Sequence, residues 1–255
     1  MNVFITGASS GIGADLAREF AARGATLGLV ARRREVLEAL VATLPGTHHI
    51  YAADVTDKVA MRDAGAAFDA AVAAQGGTDI VIANAGISVG VLTEYFEDLD
   101  AFADVFNTNV MAMAHTFHPF ITPMRERKRG TLVGIASVAG IRGLPGSEAY
   151  CASKAAAISY CESLRVELKK TGVKVSTICP GFIKTPLTAK NPYSMPFLME
   201  SRDFARQCAD AVLAGTSYTV IPWQMGVVAK LLRLLPNWLF DKAFGNRPYK
   251  PRRNA

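Results

Sequence analysis

Short apolar runs alternate along the chain with longer stretches in which apolar residues recur every three or four positions. Val3-Phe4-Ile5 opens the series. Runs without strict polar alternation suit parallel strands buried on both faces. The pattern predicts strands at about 2–6, 26–31, 49–53, 80–83, 131–136, 174–179 and 218–221. Helical spacing between them predicts helices at about 12–23, 33–43, 57–74, 99–128 and 147–170. Gly24 and the Gly76-Gly77 pair are natural helix stops. Strand–helix alternation with right-handed crossovers gives an α/β fold. The expected architecture is a Rossmann-type, doubly wound parallel sheet of about seven strands with helices on both faces. One such domain accounts for residues 1–255, a length suited to a single large core.

The first strand feeds Thr6-Gly7-Ala8-Ser9-Ser10-Gly11-Ile12-Gly13, and Leu16 and Phe20 then set a helical period. Strand, glycine turn and helix in this order form a phosphate cradle. Gly7 allows a tight turn, Gly11 lets backbone approach a pyrophosphate, and Gly13 permits close helix–strand packing. Farther along, Tyr150 and Lys154 stand four apart on a predicted helix and so share a face. A free tyrosine has a pKa of about 10. A neighbouring ammonium favours the phenolate, which brings the hydroxyl into range for acid–base work. Ser137 lies upstream, at the end of a predicted strand, where open parallel sheets bind ligands.

Taken together these segments resemble the short-chain dehydrogenase/reductase family, in its single-domain form. Thr6 to Gly13 matches the family's cofactor turn, including Ser9, Ser10 and Ile12. Asn84-Ala85-Gly86 matches its N-A-G segment, although Ala83 stands where many members have a further asparagine. Asn109 matches the helix asparagine, and Ser137, Tyr150 and Lys154 match the catalytic trio. Pro180-Gly181 with Ile183 and Thr185 matches the segment after the sixth strand. The resemblance covers about residues 1–190. It implies a nicotinamide cofactor, with Tyr150 exchanging a proton, Ser137 orienting the substrate oxygen, and Lys154 lowering the Tyr150 pKa and holding the ribose. Asn109 would support a water behind Lys154. Pro180, Gly181, Ile183 and Thr185 would line the nicotinamide. Asp54-Val55 resembles the adenine-contacting pair, although an aspartate there could equally cap a helix.

NAD-selective relatives carry an acidic residue at the end of the second strand, where this chain has Ala31 followed by Arg32 and Arg33. Ala31 removes repulsion of a 2′-phosphate, and arginine presents a fork of donors to it. The cofactor expected is therefore NADP. The retained Ser137, Tyr150, Lys154 and Asn109 favour an enzyme over the alternative of a non-catalytic NADP-binding regulatory protein.

Composition narrows the remaining choices. Residues 1–224 balance 21 Lys/Arg against 21 Asp/Glu, and the net charge of +6 resides wholly in residues 225–255. The basic pI is thus no general nucleic-acid signal, and no nucleic-acid partner is expected. The four cysteines and four histidines form no metal-ligand spacing, so no metal is expected. A strand beginning near residue 3 leaves no room for a signal peptide, and a cytoplasmic setting is expected. Residues 186–200 are rich in apolar side chains, among them Tyr193, Met195, Phe197, Leu198 and Met199. This segment is expected to act as a lid over a small lipophilic carbonyl or alcohol substrate. The resemblance implies a homodimer or homotetramer paired through the long helix and the Tyr150 helix; the former is rich in apolar positions, including Phe102, Phe106, Met113 and Phe117, some of which face the sheet. Finally, Val227, Val228, Leu231, Leu232, Leu234, Leu235, Trp238 and Leu239 fall on one helical arc, with Lys230, Arg233 and Asn237 opposite and Pro236 splitting the segment. Residues 225–255 form an amphipathic basic extension that packs on the pocket or a subunit, or touches a membrane surface.

Overall fold

The structure, a computed structural model, describes residues 1–189, 191–246 and 248–253. Lys190 of the expected lid, and Arg247, Asn254 and Ala255 of the expected extension, lie outside the described residues. Strand β1 (Asn2–Thr6) is central and completely buried, and helix α1 (Gly11–Ala22) follows its glycine turn. Next come β2 (Thr26–Ala31), α2 (Arg34–Val41), β3 (His49–Ala52), α3 (Lys58–Ala71) and β4 (Ile80–Ala83). Then follow α4 (Asp98–Phe106), α5 (Ala112–Glu126), β5 (Gly130–Ile135), α6 (Glu148–Glu167) and β6 (Val173–Pro180). Two short strands, β7 (Ile183–Lys184) and β8 (Met199–Glu200), pair with each other and close the base of the 186–200 segment. Helix α7 (Ser201–Leu213), β9 (Tyr218–Ile221), α8 (Trp223–Leu234) and α9 (Asn237–Phe244) complete the order.

The seven-stranded sheet runs β3-β2-β1-β4-β5-β6-β9, and every pairing is parallel. Parallel pairing requires crossover connections, and the helices that make them cover both faces. One face packs Leu16 and Phe20 of α1, Leu37 of α2 and Phe204 of α7. The other packs Phe68 of α3, Phe117 and Phe120 of α5, and Cys161 and Leu164 of α6. Phe4 sends its ring to within 5.6 Å of Phe68 and 4.9 Å of Phe120. A fully buried phenylalanine contributes on the order of 1.5–3 kcal/mol, so this trio is a main support of that face. Gly28 makes room for it, since a Cβ there would lie 2.7 Å from the Phe68 ring.

Strand order reverses between β1 and β4, which opens a crevice at their carboxyl ends. Asn84 ties the two sides together: its Nδ2 donates to the Thr6 carbonyl at 2.9 Å. Its backbone N–H also donates to Thr6 Oγ1 at 3.1 Å. The expected continuous helix over 99–128 is interrupted. Between α4 and α5 lies a π-helical turn, Asn107–Met111, which swings Asn109 into the interior. Extra-residue turns of this kind recur at functional sites. Met113 and Phe117 belong to the sheet core, so they are unavailable for a subunit contact.

The C-terminal helices turn inward a face that only partly coincides with the expected apolar arc. Leu235 and Pro236 do separate α8 from α9. The face turned inward, however, carries Met225, Gly226 and Ala229 in α8, and Phe240 and Phe244 in α9. Val227, Leu231, Leu234 and Trp238 of the expected packing arc are exposed, Leu234 by 79%.

Candidate active site

Above the carboxyl ends of β1, β4, β5 and β6 lies a cleft of about 640 Å³. Gly7, Ser9, Ser10, Gly11, Ile12, Arg32, Arg33, Asp54, Val55, Asn84, Ala85 and Gly86 line it. Ser137, Tyr150, Lys154, Pro180, Gly181, Ile183 and Thr185 line it as well. Gly13 and Asn109 stand behind the wall rather than in it.

The glycine turn is shaped for close approach. Gly7 and Gly11 have φ of 68° and 54°, a region that favours glycine. A Cβ on Gly13 would collide with the Gly7 carbonyl and stand 2.6 Å from Asn84 Nδ2. Ser10 caps α1 with extended backbone, yet its side chain makes no capping hydrogen bond. The first amides of α1 are left for a ligand, and the helix dipole there favours an anion. These features fit the diphosphate of a dinucleotide. Ala31 is buried and small at the tip of β2. Asp54 accepts hydrogen bonds from the Thr56 amide (2.9 Å) and Thr56 hydroxyl (2.8 Å). These bonds, with the nearby Arg32 charge, hold its carboxyl below the usual range. The cap of α3 is Asp57, not Asp54, which leaves Asp54 facing the cleft.

Ser137 follows β5 and its Oγ accepts from the Ala139 amide at 3.1 Å. Tyr150 and Lys154 project together from α6, with the Lys154 Nζ 5.9 Å from the centre of the Tyr150 ring. Lys154 donates to the Ile135 carbonyl at 2.8 Å. Burial pushes its ammonium down to about 8. Burial also pushes Tyr150 up to about 12, against a hydrogen bond from Ser137 that pulls it down. Desolvation outweighs any lowering of Tyr150 by Lys154 in this geometry, where the ammonium is turned to a carbonyl. A phenol held in its neutral form is a proton donor at neutral pH.

Asn109 is almost fully buried and holds the loop after β4. Its Oδ1 accepts from the Ile87 amide (2.8 Å), and its Nδ2 donates to the Ile87 carbonyl (3.0 Å) and Ser153 Oγ (2.9 Å). Gly86 lies between it and Lys154: a Cβ there would sit 3.2 Å from Asn109 Oδ1 and 3.6 Å from Lys154 Nζ. Thr185 turns back on Thr188, whose hydroxyl accepts from the Thr185 amide at 3.1 Å. Burial pushes the neighbouring Cys151 thiol up to about 11, so it stays protonated.

Sequence reasoning missed other lining residues, among them Ile87, Asp104, Thr108 and Arg253. A signal for Arg253 was present. The basic tail has an acidic counterpart in Glu94, Glu97, Asp98, Asp100 and Asp104.

Residues 1–195 match the family model described as short chain dehydrogenase. The chain is 42% identical over 242 residues to an uncharacterized oxidoreductase of Myxococcus xanthus, with 94% of each chain covered. Among solved structures, it is similar to a short-chain dehydrogenase/reductase from Burkholderia phymatum in complex with NAD. That match has a TM-score of 0.80 at 25% identity and covers 98% of this chain and 96% of the other. A short-chain dehydrogenase from Sphingobium yanoikuyae in complex with NADPH gives a TM-score of 0.76 at 25% identity, with 92% and 96% covered.

Proposed function

The chain belongs to the short-chain dehydrogenase family, and from that premise we propose that it is an NADP(H)-dependent oxidoreductase acting on a lipophilic ketone or aldehyde, or on the matching secondary alcohol. The observation that carries this reading is the cleft itself, lined both by Ser137, Tyr150 and Lys154 and by Ala31, Arg32 and Arg33. Bound in that cleft, the nicotinamide supplies hydride exchange with the carbonyl carbon. The protein's part is orientation and proton handling. Ser137 Oγ donates a hydrogen bond to the substrate oxygen. Tyr150 gives its hydroxyl proton to that oxygen as negative charge develops, and takes it back in oxidation. The buried Lys154 ammonium stabilises the phenolate so formed. Thr185 and Pro180-Gly181 would hold the cofactor's reactive end, and Asn109 fixes Ile87 beside them.

Preference for NADP rests on Ala31 and Arg32. A neutral, buried Ala31 leaves the end of β2 without repulsion, and Arg32 lies close enough to influence Asp54. The lipophilic substrate rests on the 186–200 segment. Tyr193 packs 6.3 Å from the Phe182 ring, and its hydroxyl lies near enough to Tyr150 to influence it. Phe197 and Leu198 stay exposed for a lid to use.

A homodimer or homotetramer forms through the outer side of α4 and the π turn. Phe102 and Phe106 stack there at 5.1 Å, and Leu99 and Met111 are exposed beside them. The exposed stripe Trp223, Val227, Leu231, Leu234 and Trp238, flanked by exposed Lys230, Arg233 and Lys242, suits weak contact with an anionic bilayer surface. Among the described residues no helix is long and apolar enough to cross a membrane. The four cysteines are free and buried, which accords with a cytoplasmic protein.

The deciding experiment is a panel of ketones, aldehydes and alcohols assayed with NADPH/NADP and NADH/NAD by nicotinamide absorbance. Turnover of lipophilic members with the phosphorylated cofactor is expected. Turnover only with NADH, or only of charged substrates, would contradict the reading.

A further inference from the structure

Residues 248–253 carry Lys250, Arg252 and Arg253, and so basic a segment ordinarily stays in water. Here residues 248–253 fold back onto loops that border the cleft. Arg252 is the anchor. Its guanidinium lies 3.5 Å above the Tyr95 ring centre, and its Nε donates to Asp98 Oδ2 at 2.7 Å. Its Nη2 donates to Asp98 Oδ1 and to Glu97 Oε1, each at 3.2 Å. Asp98 has no exposed surface and also accepts from the Leu92 amide at 2.9 Å. Its carboxyl is held below the usual range, chiefly by the Arg252 hydrogen bond. A buried carboxylate left without its cation is costly, so this contact is a defined joint rather than a chance surface pair.

Backbone follows the side chain. The Gly90 amide donates to the Pro251 carbonyl at 3.0 Å, and any Cβ on Gly90 would strike the Lys250 carbonyl. Tyr249 covers Gly146, where a Cβ would lie 2.7 Å from its ring. Between these joints Lys250 turns inward and is buried. Its Nζ donates to Ser88 Oγ at 2.9 Å and to the Leu187 carbonyl at 3.3 Å. Ser88 follows Ile87, which lines the cleft, and Leu187 lines it from the 186–200 segment. Arg253 lines the cleft itself and pairs with Asp104 at 2.6 Å.

We propose that residues 249–253 are a positioning strap for the substrate end of the cleft. Arg252 seats the strap on Asp98. Lys250 then ties the loop after β4 to the segment carrying Leu187, and so sets the opening through which substrate enters. The strap lies outside residues 1–195, which match the family model. It is built from this chain's own charge pattern: the excess cations of the tail are spent on the acidic side of α4. A lysine lodged between a hydroxyl and a carbonyl, both neutral, gives up hydration. That loss is offset only if joining the two segments stabilises the closed arrangement.

The inference rests on the carbonyl-reductase reading, and its test separates the two. Arg252→Ala and Lys250→Met are made singly and together in the full chain. Each is assayed with NADPH and the carbonyl substrate that the wild type turns over best. Each single variant is expected to raise KM about tenfold, with kcat and NADPH Kd within about twofold. The double variant should be no worse than the worse single variant, because both act through one strap. Lys250→Arg, which keeps the charge and donors, should return KM to within about threefold of wild type. Unchanged KM in both single variants overturns the strap, as does a fall in kcat and NADPH affinity that parallels KM. If Arg252→Ala fails to fold, Lys250→Met and Lys250→Arg decide the matter. If the wild type turns over no carbonyl or alcohol with either cofactor, the functional reading fails. The strap is then tested by amide hydrogen exchange of residues 183–189. Faster exchange there in Lys250→Met supports it, and unchanged exchange overturns it.

Discussion

Replacing Gly13 by alanine tests the dinucleotide cradle with one added methyl. That Cβ would overlap the Gly7 carbonyl and approach Asn84 Nδ2 to 2.6 Å. Neither neighbour can yield freely. The Asn84 amide is held by the Thr6 carbonyl at 2.9 Å and the Gly7 carbonyl at 3.3 Å, and both belong to the end of β1 and its turn. Ordinary packing therefore returns only if α1 and the turn separate by roughly 1 Å, an overpacking that costs about 1–3 kcal/mol. The same displacement moves the amides at the start of α1 away from a diphosphate, and a shift of about 1 Å at a binding constellation can cost ~10²-fold. Gly24→Ala is the control. Its φ of 79° makes alanine unfavourable, but nothing lies within 4 Å of the added Cβ. Its cost is conformational, about 1–2 kcal/mol, and remote from the cleft. NADPH titration by fluorescence and unfolding in urea read the two effects. Gly13→Ala should lose about two orders of magnitude in NADPH affinity, whereas Gly24→Ala should lose stability alone. NADPH binding by Gly13→Ala within about twofold of wild type would refute the cradle.

Arg32→Ala should weaken NADPH far more than NADH, and equal losses in parallel titrations would remove Arg32 from recognition of the 2′-phosphate. The buried Lys154, at about 8, binds its proton less readily in the folded than in the unfolded chain. Its burial therefore costs stability below pH 8, up to about 3 kcal/mol, and the cost fades as pH rises toward the unfolded value near 10.5. Lys154→Met should accordingly raise the thermal midpoint at pH 7, gain less at pH 10, and abolish turnover; a lower midpoint at pH 7 argues against that origin. Light scattering should give a multiple of 27.3 kDa at micromolar concentration, and a monomer would contradict assembly through α4.

What the sequence made legible was local. The strands at 80–83 and 218–221 stand where apolar runs put them, because a buried parallel strand needs little beyond such a run. The glycine turn was equally plain, since a strand, three glycines and a helix are contiguous. The π turn at Asn107–Met111 was hidden, because one extra residue barely disturbs a helical period. Tyr150 and Lys154 share a face as their spacing requires. The balance between burial and charge at that pair depends on surrounding atoms that spacing does not reveal. The tail shows the same limit. Its amphipathic helices drew attention to an apolar arc, whereas Arg252 and Arg253 pair with Asp98 and Asp104, far away in sequence. Periodicity records neighbours along the chain, and pairing across the fold leaves only complementary charge.

The central claim is that Tyr150 moves the proton while the rest of the cleft holds cofactor and substrate. Steady-state kcat of Tyr150→Phe, measured beside its NADPH Kd, tests this most directly. The ring is kept and only the hydroxyl is lost, so the packing of α6 and the position of Lys154 are preserved. The account predicts a fall in kcat of about 10²–10⁴-fold, the usual value of positioned acid–base help, with NADPH Kd within about twofold. Retention of more than about a tenth of wild-type kcat would contradict it.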